Sequence, residues 1–412
     1  MVGNQNNDKT GKLILVDFSC SSHYTHHASY LLAFAEFASM NSYDVEIWIN
    51  NAANQQVRTK LKNYNVYTIL DSPDYGNTPQ SNIFRYIRDK CISKILKVCS
   101  QLFTKKHHES IKNFIAQMYF HKTVRRLKKE IDFGANPTLF FPSIDAIGLR
   151  FIDSCIQKKI DINHFVARTI NTEARGIFGI PEPIEYYSKI LHDVSNVPVY
   201  IGYETNSLYQ EYIRELPKTY LKWAPIPSSE IKQSVFSSQI LTIGFIGSAR
   251  ENKGFGQIPR ILKQLKEANV EFKAIVQLAN FEWEKYRETL NLLSDFSDNI
   301  EYLSGGCSDR EFTVALEEVD ILVMPYDSDQ YKLAGSGILF LAADLSKPIF
   351  ARAGVGFAWD IEEFKIGKTF TCIEELVNLL STINNYSDQW NCNFQKYSEL
   401  RNAAIKEILA IN

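Results

Sequence analysis

Short apolar runs separated by amphipathic stretches set the rhythm of this chain. KLILVDFS, residues 12–19, is apolar over four consecutive positions rather than at every second one. A strand buried on both faces of a parallel sheet reads this way. SCSSHYTHH follows as a loop, ASYLLAFAEFASM as a helix and DVEIWIN as a second strand; TLFFPSI, NHFVART and VPVYIGY read as further strands. Short apolar strands alternating with helical segments predict a doubly wound α/β domain. Ligands of such sheets bind beyond the carboxyl ends of the strands. SCSSHYTHH, SIDAIG, RTINTEARG and ETNS are therefore expected around one crevice.

The segment LPKTYLKWAPIPSSE carries Pro217, Pro225 and Pro227 and reads as a linker, because proline interrupts helices and stiffens connections. The alternation then restarts. LTIGFIGSA, FKAIVQL, IEYLSG, DILVMPY and KPIFAR read as strands, with helices at GFGQIPRILKQLKEA, SDREFTVALEEV and SGILFLAADL. The pattern predicts an N-terminal domain over residues 1–220 and a C-terminal domain over 221–384, both Rossmann-like and doubly wound. A terminal helix over 385–412 is expected to pack back on the first domain.

One segment breaks the pattern. Residues 81–130 contain thirteen Lys/Arg against three Asp/Glu in a chain whose net charge is only −2. Phe84, Ile87, Cys91, Ile95, Val98 and Leu102 recur at helical spacing, and Ile111, Phe114, Ile115 and Met118 repeat it. This is a basic helical insertion in the first domain. Such an amphipathic pair suits an anionic membrane surface or a polyanionic acceptor; equally, its apolar stripe can pack on its own domain with the lysines solvated. No groove-reading or base-stacking pattern accompanies it, so nucleic acid is not an expected partner.

Composition narrows the picture further. At 412 residues and 45% hydrophobic, the chain can fill two cores. Its seven cysteines are scattered, with no CxxC pair, so neither a disulfide framework nor a zinc site is expected and a reducing cytoplasm fits. The opening MVGNQNNDKTGK lacks the apolar core of a signal peptide, and no run approaches a membrane span.

The chemistry concentrates at two loops of the second half. In DILVMPYDSDQYKLAGSGILFL a strand leads through a polar loop into an apolar helix that begins at Ser336–Gly337. A helix start offers unpaired N–H groups and partial positive charge to an anion. Ser336 can equally serve as an ordinary N-cap. GFIGSARENKG places Gly247, Arg250, Lys253 and Gly254 directly after another strand. Cations beside a small-residue turn suit a phosphate. Two such cradles on one sheet edge predict a diphosphate site.

GFIGSARENKG, EYLSGG, DREFTVALEEVDILVMPY, SGILFLAADLSKPIFA and GVGFAW, in this order, resemble the donor-binding half of nucleotide-sugar glycosyltransferases of the GT-B fold. The resemblance covers residues 241–370 in detail, and the N-terminal half only in architecture. It implies two Rossmann-like domains facing a cleft, with donor in the second and acceptor in the first. It implies donor contacts at Gly247, Arg250, Lys253, Gly254, Tyr326, Ser336 and Gly337, with Leu303 and Gly305 lining the base. Many retaining members carry two glutamates eight positions apart, where this chain has Leu333 and Leu341. Members are usually metal-independent, so no cofactor or metal is expected, and Asp327–Asp329 reads as a solvated turn.

On the acceptor side, the loop after the first strand holds His23, His26 and His27. Asp145 and Glu173 lie at other crevice loops, with Arg168 close by in sequence. Attack on the anomeric carbon with inversion needs a general base. His26, Asp145 and Glu173 are the catalytic candidates; His23, His27 and Arg168 are the acceptor-binding ones. The expectation is a cytoplasmic glycosyltransferase acting on a glycan or lipid-linked acceptor in bacterial surface-polysaccharide assembly, peripheral at the inner membrane face through residues 81–130. A sugar-nucleotide epimerase of the same fold, or a non-catalytic binder of nucleotide-sugar or glycan, are the alternatives.

Overall fold

The computed structural model describes residues 11–20, 27–70, 94, 124–125, 136–144, 146–170, 197–228, 231–232, 240–278, 283–383 and 387–410. The chain divides into two compact units, one of residues 1–204, 209–227 and 404–412, the other of 205–208 and 228–403. Each is built on one parallel sheet.

The sheet of the first unit contains β1 (Gly11–Asp17), β2 (Tyr43–Asn50), β3 (Asn65–Leu70), β4 (Thr138–Phe141), β5 (His164–Thr169), β6 (Val199–Tyr203) and β7 (Leu221–Trp223). Their order across the sheet is β3-β2-β1-β4-β5-β6-β7, and every pair is parallel. Leu13, Ile14, Leu15 and Val16 are all buried, as an apolar run on a strand covered on both faces should be. The helix His27–Met40 lays Leu31, Phe34, Ala35 and Ala38 against Leu13, Leu15, Val45 and Ile47. Each fully buried Leu or Phe contributes about 1.5–3 kcal/mol. Ile405, Ile408 and Leu409, from the end of the terminal helix Ser387–Leu409, join the same cluster. The Ile408 carbonyl also meets Nε2 of the buried His164 at 3.2 Å.

The second sheet contains β8 (Leu241–Phe245), β9 (Phe272–Gln277), β10 (Ile300–Leu303), β11 (Ile321–Met324), β12 (Ile349–Arg352) and β13 (Gly367–Phe370). The order is β10-β9-β8-β11-β12-β13, again all parallel. The helix Asp309–Glu318 begins with a capping box, in which the Ser308 hydroxyl accepts from Glu311 N–H and the Glu311 carboxylate accepts from Ser308 N–H.

Three strands escape the sequence pattern: β3, β7 and β13, each at the edge of its sheet. β7 falls inside the proline-rich segment read as a linker: Leu221–Trp223 pairs with Ile201–Tyr203, and the first unit continues to Pro227. Of residues 81–130, all but Lys94, Val124 and Arg125 lie outside the described residues, and the helical-insertion reading lies there with them.

Candidate functional site

A doubly wound sheet opens a crevice where the strand order reverses, because the chains leaving the two adjacent strands go to opposite sides. In the second unit that point lies between β8 and β11, and in the first between β1 and β4. Gly247, Arg250, Lys253, Gly254, Tyr326, Ser336 and Gly337 follow the strands of the point in the second unit; in the first, Asp17 ends β1 and His27 comes after it.

After β8 the backbone bends through Gly247 (φ 134°) and Ser248 (φ 60°). A serine in the left-handed region is disfavoured by roughly 1–2 kcal/mol, so something must hold it there. The Gln277 Oε1, at the end of β9, accepts from Gly247 N–H and Ser248 N–H, both at 2.7 Å. A 3₁₀ turn, Glu251–Lys253, follows and stops at Gly254 (φ 75°). There a Cβ would lie 2.1 Å from the Pro325 carbonyl oxygen. Gly254 therefore lets the turn sit flush on the end of β11; its backbone faces protein rather than an open ligand site. Asp327 N–H donates to the Asn252 carbonyl at 2.9 Å, joining the two strand ends again.

Lys253 folds back into this junction. Its Nζ donates to the Gly247 carbonyl at 2.5 Å and lies 5.4 Å from the centre of the Tyr326 ring. Burial, and then the Arg250 guanidinium, lower the Lys253 pKa to about 8. Arg250 is exposed. Burial raises the phenol pKa values of Tyr326 and Tyr331, and the Arg250 charge opposes it at both. The buried Tyr326 hydroxyl sits by Ser336 without hydrogen-bond geometry to any described group. Gly247, Ser248, Lys253, Gln277, Pro325 and Tyr326 line a cavity of about 20 Å³, room for about one water.

The helix Gly337–Asp344 starts beside these groups. Ser336 is its N-cap residue in extended conformation (φ −144°), yet the hydroxyl caps no N–H of the helix. The capping role weighed from the sequence is not the one adopted. Ser336 and Gly337 are both half-buried, so the helix start is approachable. Arg250, Lys253 and this helix start thus surround Tyr326, an arrangement of two cations and a hydroxyl-bearing helix terminus whose chemistry suits an anion.

Leu303 and Gly305 lie at the carboxyl end of β10. The Leu303 carbonyl accepts from Leu278 N–H at 2.9 Å, and the Cys307 Sγ lies 3.8 Å from Gln277 Nε2. Asp327 accepts from the N–H groups of Asp329 and Gln330 and closes a local turn. Of the two leucines at the glutamate positions, Leu333 uses its carbonyl to accept from the Thr205 hydroxyl, and Leu341 is 50% exposed.

In the first unit, Asp17 ends β1 and is buried. Its carboxylate accepts from Ser19 N–H at 2.8 Å and pairs with His27 Nδ1 at 2.8 Å. An ionised carboxylate fixes the Nδ1–H tautomer and leaves Nε2 as the basic nitrogen of the neutral ring. His23, His26, Asp145 and Glu173 lie outside the described residues.

Arg168 is a correction. It is fully buried, with Nε donating to the Ala224 carbonyl, Nη1 to the Pro142 carbonyl and Nη2 to Glu204. Every edge of the guanidinium is engaged inside the unit, so Arg168 holds strand ends together and does not reach an acceptor.

Sequence reasoning missed Asp17 and Gln277. The available signal is common to both: a polar residue closing an otherwise apolar strand, at VD and VQ. Among the described residues no group of three His, Cys, Asp or Glu side chains could hold a metal ion, and no helix is long and apolar enough to cross a membrane.

A scan against protein-family models found no match, and no curated protein matches in sequence. Solved structures match well. A sucrose-phosphate synthase from Thermosynechococcus elongatus is similar at TM-score 0.60 and 8% identity, covering 97% of this chain and 98% of that one. HepE from Anabaena, solved with UDP-glucose, is similar at TM-score 0.60 and 12% identity, over 97% and 98%. WaaG, a glycosyltransferase involved in lipopolysaccharide biosynthesis, is similar at TM-score 0.55 and 11% identity, over 97% and 99%. The chain has a GT-B glycosyltransferase-like fold.

Proposed function

We propose that this chain is a glycosyltransferase that takes its sugar from a nucleoside-diphosphate donor bound at the β8–β11 switch point. The observation carrying this reading is the convergence of Arg250, Lys253 and the Ser336–Gly337 helix start on Tyr326. Sugar transfer expels a diphosphate, and preorganised cations and N–H donors stabilise the charge that develops on it. That HepE was solved with UDP-glucose and with UDP supports a nucleotide-sugar ligand for this chain. On the acceptor side, His27 held by Asp17 is the general-base candidate with described geometry, in place of the acceptor-binding role read from sequence. His26, Asp145 and Glu173 remain candidates on sequence grounds. A glycan or lipid-linked acceptor is the class that suits the basic segment 81–130.

A thermal-shift panel of UDP-, GDP-, ADP- and CMP-linked sugars tests the reading. The true donor at 100 times its Kd adds about 2.7 kcal/mol to stability. CMP-sugars carry a single phosphate and should be silent. A panel without any shift, or one in which only the CMP-sugar acts, refutes a diphosphate site. Release of the nucleoside diphosphate on adding an acceptor extract separates turnover from binding alone.

A further inference from the structure

We infer that Gln277 is the positioning residue of the phosphate-binding turn: its amide holds the backbone that places Lys253, and links that backbone to the loop after β10. The inference rests on the donor reading above and deepens it.

The geometry is specific. Two successive backbone N–H groups, bent into one concavity by φ values of 134° and 60°, would ordinarily present themselves to an anion. Here both donate to a single side-chain oxygen at 2.7 Å. Gln277 is buried and carries no charge, so it fills the concavity without opposing the anion. The N–H groups of residues 247 and 248 are therefore committed to holding the turn. Recognition falls to Lys253, Arg250 and the helix start at Gly337.

The same peptide groups fix Lys253. Gly247 gives its N–H to Gln277 and its carbonyl to Lys253 Nζ. One residue thus stands between the amide and the ammonium. On the other side, Gln277 Nε2 approaches the Cys307 sulfur at 3.8 Å, which orients the amide with its oxygen toward the turn. A released turn frees the Gly247 carbonyl to rotate, and Lys253 then loses its anchor and its enclosure together.

That coupling gives a readout that general loosening of the fold does not. The groups facing Lys253 are Arg250 on its own turn and Tyr326 from the end of β11; Gln277 from β9 is neutral and Cys307 lies behind it. Burial and Arg250 hold the Lys253 pKa at about 8. Affinity for an anion that needs protonated Lys253 then falls by about tenfold per pH unit above that value. Without the anchor, the onset moves up toward the ordinary lysine value.

The experiment is isothermal titration of UDP into the full chain between pH 7 and 10. Unaltered protein, Gln277→Met and Gln277→Leu are compared, each read against Lys253→Met to remove the probe's own titration. Gln277→Met keeps the volume of the side chain and is the principal variant; Gln277→Leu serves if it is unstable. The expected result is a fall of roughly tenfold or more in affinity at pH 7.5, with the onset of pH dependence raised by at least about one unit. An onset unchanged from that of the unaltered protein overturns the inference while leaving the donor site standing. Failure of the unaltered protein to bind UDP or the other nucleoside diphosphates overturns the reading of the site and this inference with it. If the pH step persists in Lys253→Met, the step does not belong to Lys253 and the positioning role is likewise refuted.

Discussion

Replacing Lys253 by methionine separates binding from folding. The side chain keeps its length and loses one charge and one hydrogen bond, to the Gly247 carbonyl at 2.5 Å. In the ligand-free protein little is lost. The ammonium is held at a pKa of about 8, below its ordinary 10.5, so its enclosure opposes the charged form. The sign follows from linkage: the unfolded chain binds the proton more tightly between those two values. Stability of the unaltered protein therefore rises as pH increases from about 8 to 10.5, and in Lys253→Met this rise is absent. At neutral pH the variant should be as stable as the parent or slightly more so. Binding behaves oppositely. A charged hydrogen bond to a phosphate is worth about 1.5–3 kcal/mol, roughly a 10- to 150-fold change in Kd. The loss should be largest near pH 7 and shrink above pH 8, where the parent's own lysine is neutral. Calorimetric titration with nucleoside diphosphates at several pH values, beside urea unfolding of the free proteins, measures both halves. A folded variant with unchanged affinity at pH 7 would refute the assignment of Lys253 to the anion site.

Three further outcomes follow from contacts already described. Gly254→Ala sets a Cβ against the Pro325 carbonyl at a position with φ 75°, so urea unfolding should show a loss of about 3 kcal/mol or more and nucleotide affinity should fall with it; a wild-type midpoint would mean that the turn does not rest on β11. Arg168→Met leaves Glu204 buried without its partner and should cost about 3–5 kcal/mol, with part recovered in Arg168→Met/Glu204→Leu; a defect in acceptor affinity without loss of stability would return Arg168 to the acceptor site. His27→Ala and Asp17→Asn should both lower transfer by about 10²–10⁴-fold while leaving donor affinity near that of the parent; full turnover in both would move the base to His26, Asp145 or Glu173.

The sequence exposed the fold wherever burial is two-sided. β11 is a continuous apolar run, β1 contains one over Leu13–Val16 and β9 one over Ala274–Val276, and the structure buries all three runs on both faces. It hid the edges. β3 alternates exposed and half-buried positions, β7 has three residues, and β13 is Gly-Lys-Thr-Phe. A strand with one neighbour has less surface to bury and leaves a weaker apolar signature. The segment read as a linker hid β7 for the same reason, since Leu221–Trp223 is paired although prolines follow closely, while the boundary between the two units falls at Pro227 inside that segment. At the site, Arg250, Lys253 and Ser336 were legible because cations and a Ser-Gly pair stand next to strand ends. Gln277 was not, because an uncharged residue at a strand terminus resembles any other until its two N–H partners are seen.

Arg168 and Lys253 show what separates a structural cation from a ligand-binding one. Both follow apolar strand sequence, both sit at the carboxyl side of a parallel sheet, and both were read as contacts. The difference lies in how their donors are used. Arg168 places Nε, Nη1 and Nη2 on three acceptors within its unit, one of them a carboxylate. Its charge is neutralised by Glu204 and none of its edges is exposed. An added anion there would compete with an existing carboxylate in a dry interior, a costly exchange. Lys253 has three protons and one described hydrogen bond, to a neutral carbonyl. After burial, the charge that acts on it is another cation, Arg250, which lowers its pKa instead of compensating its charge. Two cations brought together in this way favour an anionic ligand, and the diphosphate of the proposed donor would supply one.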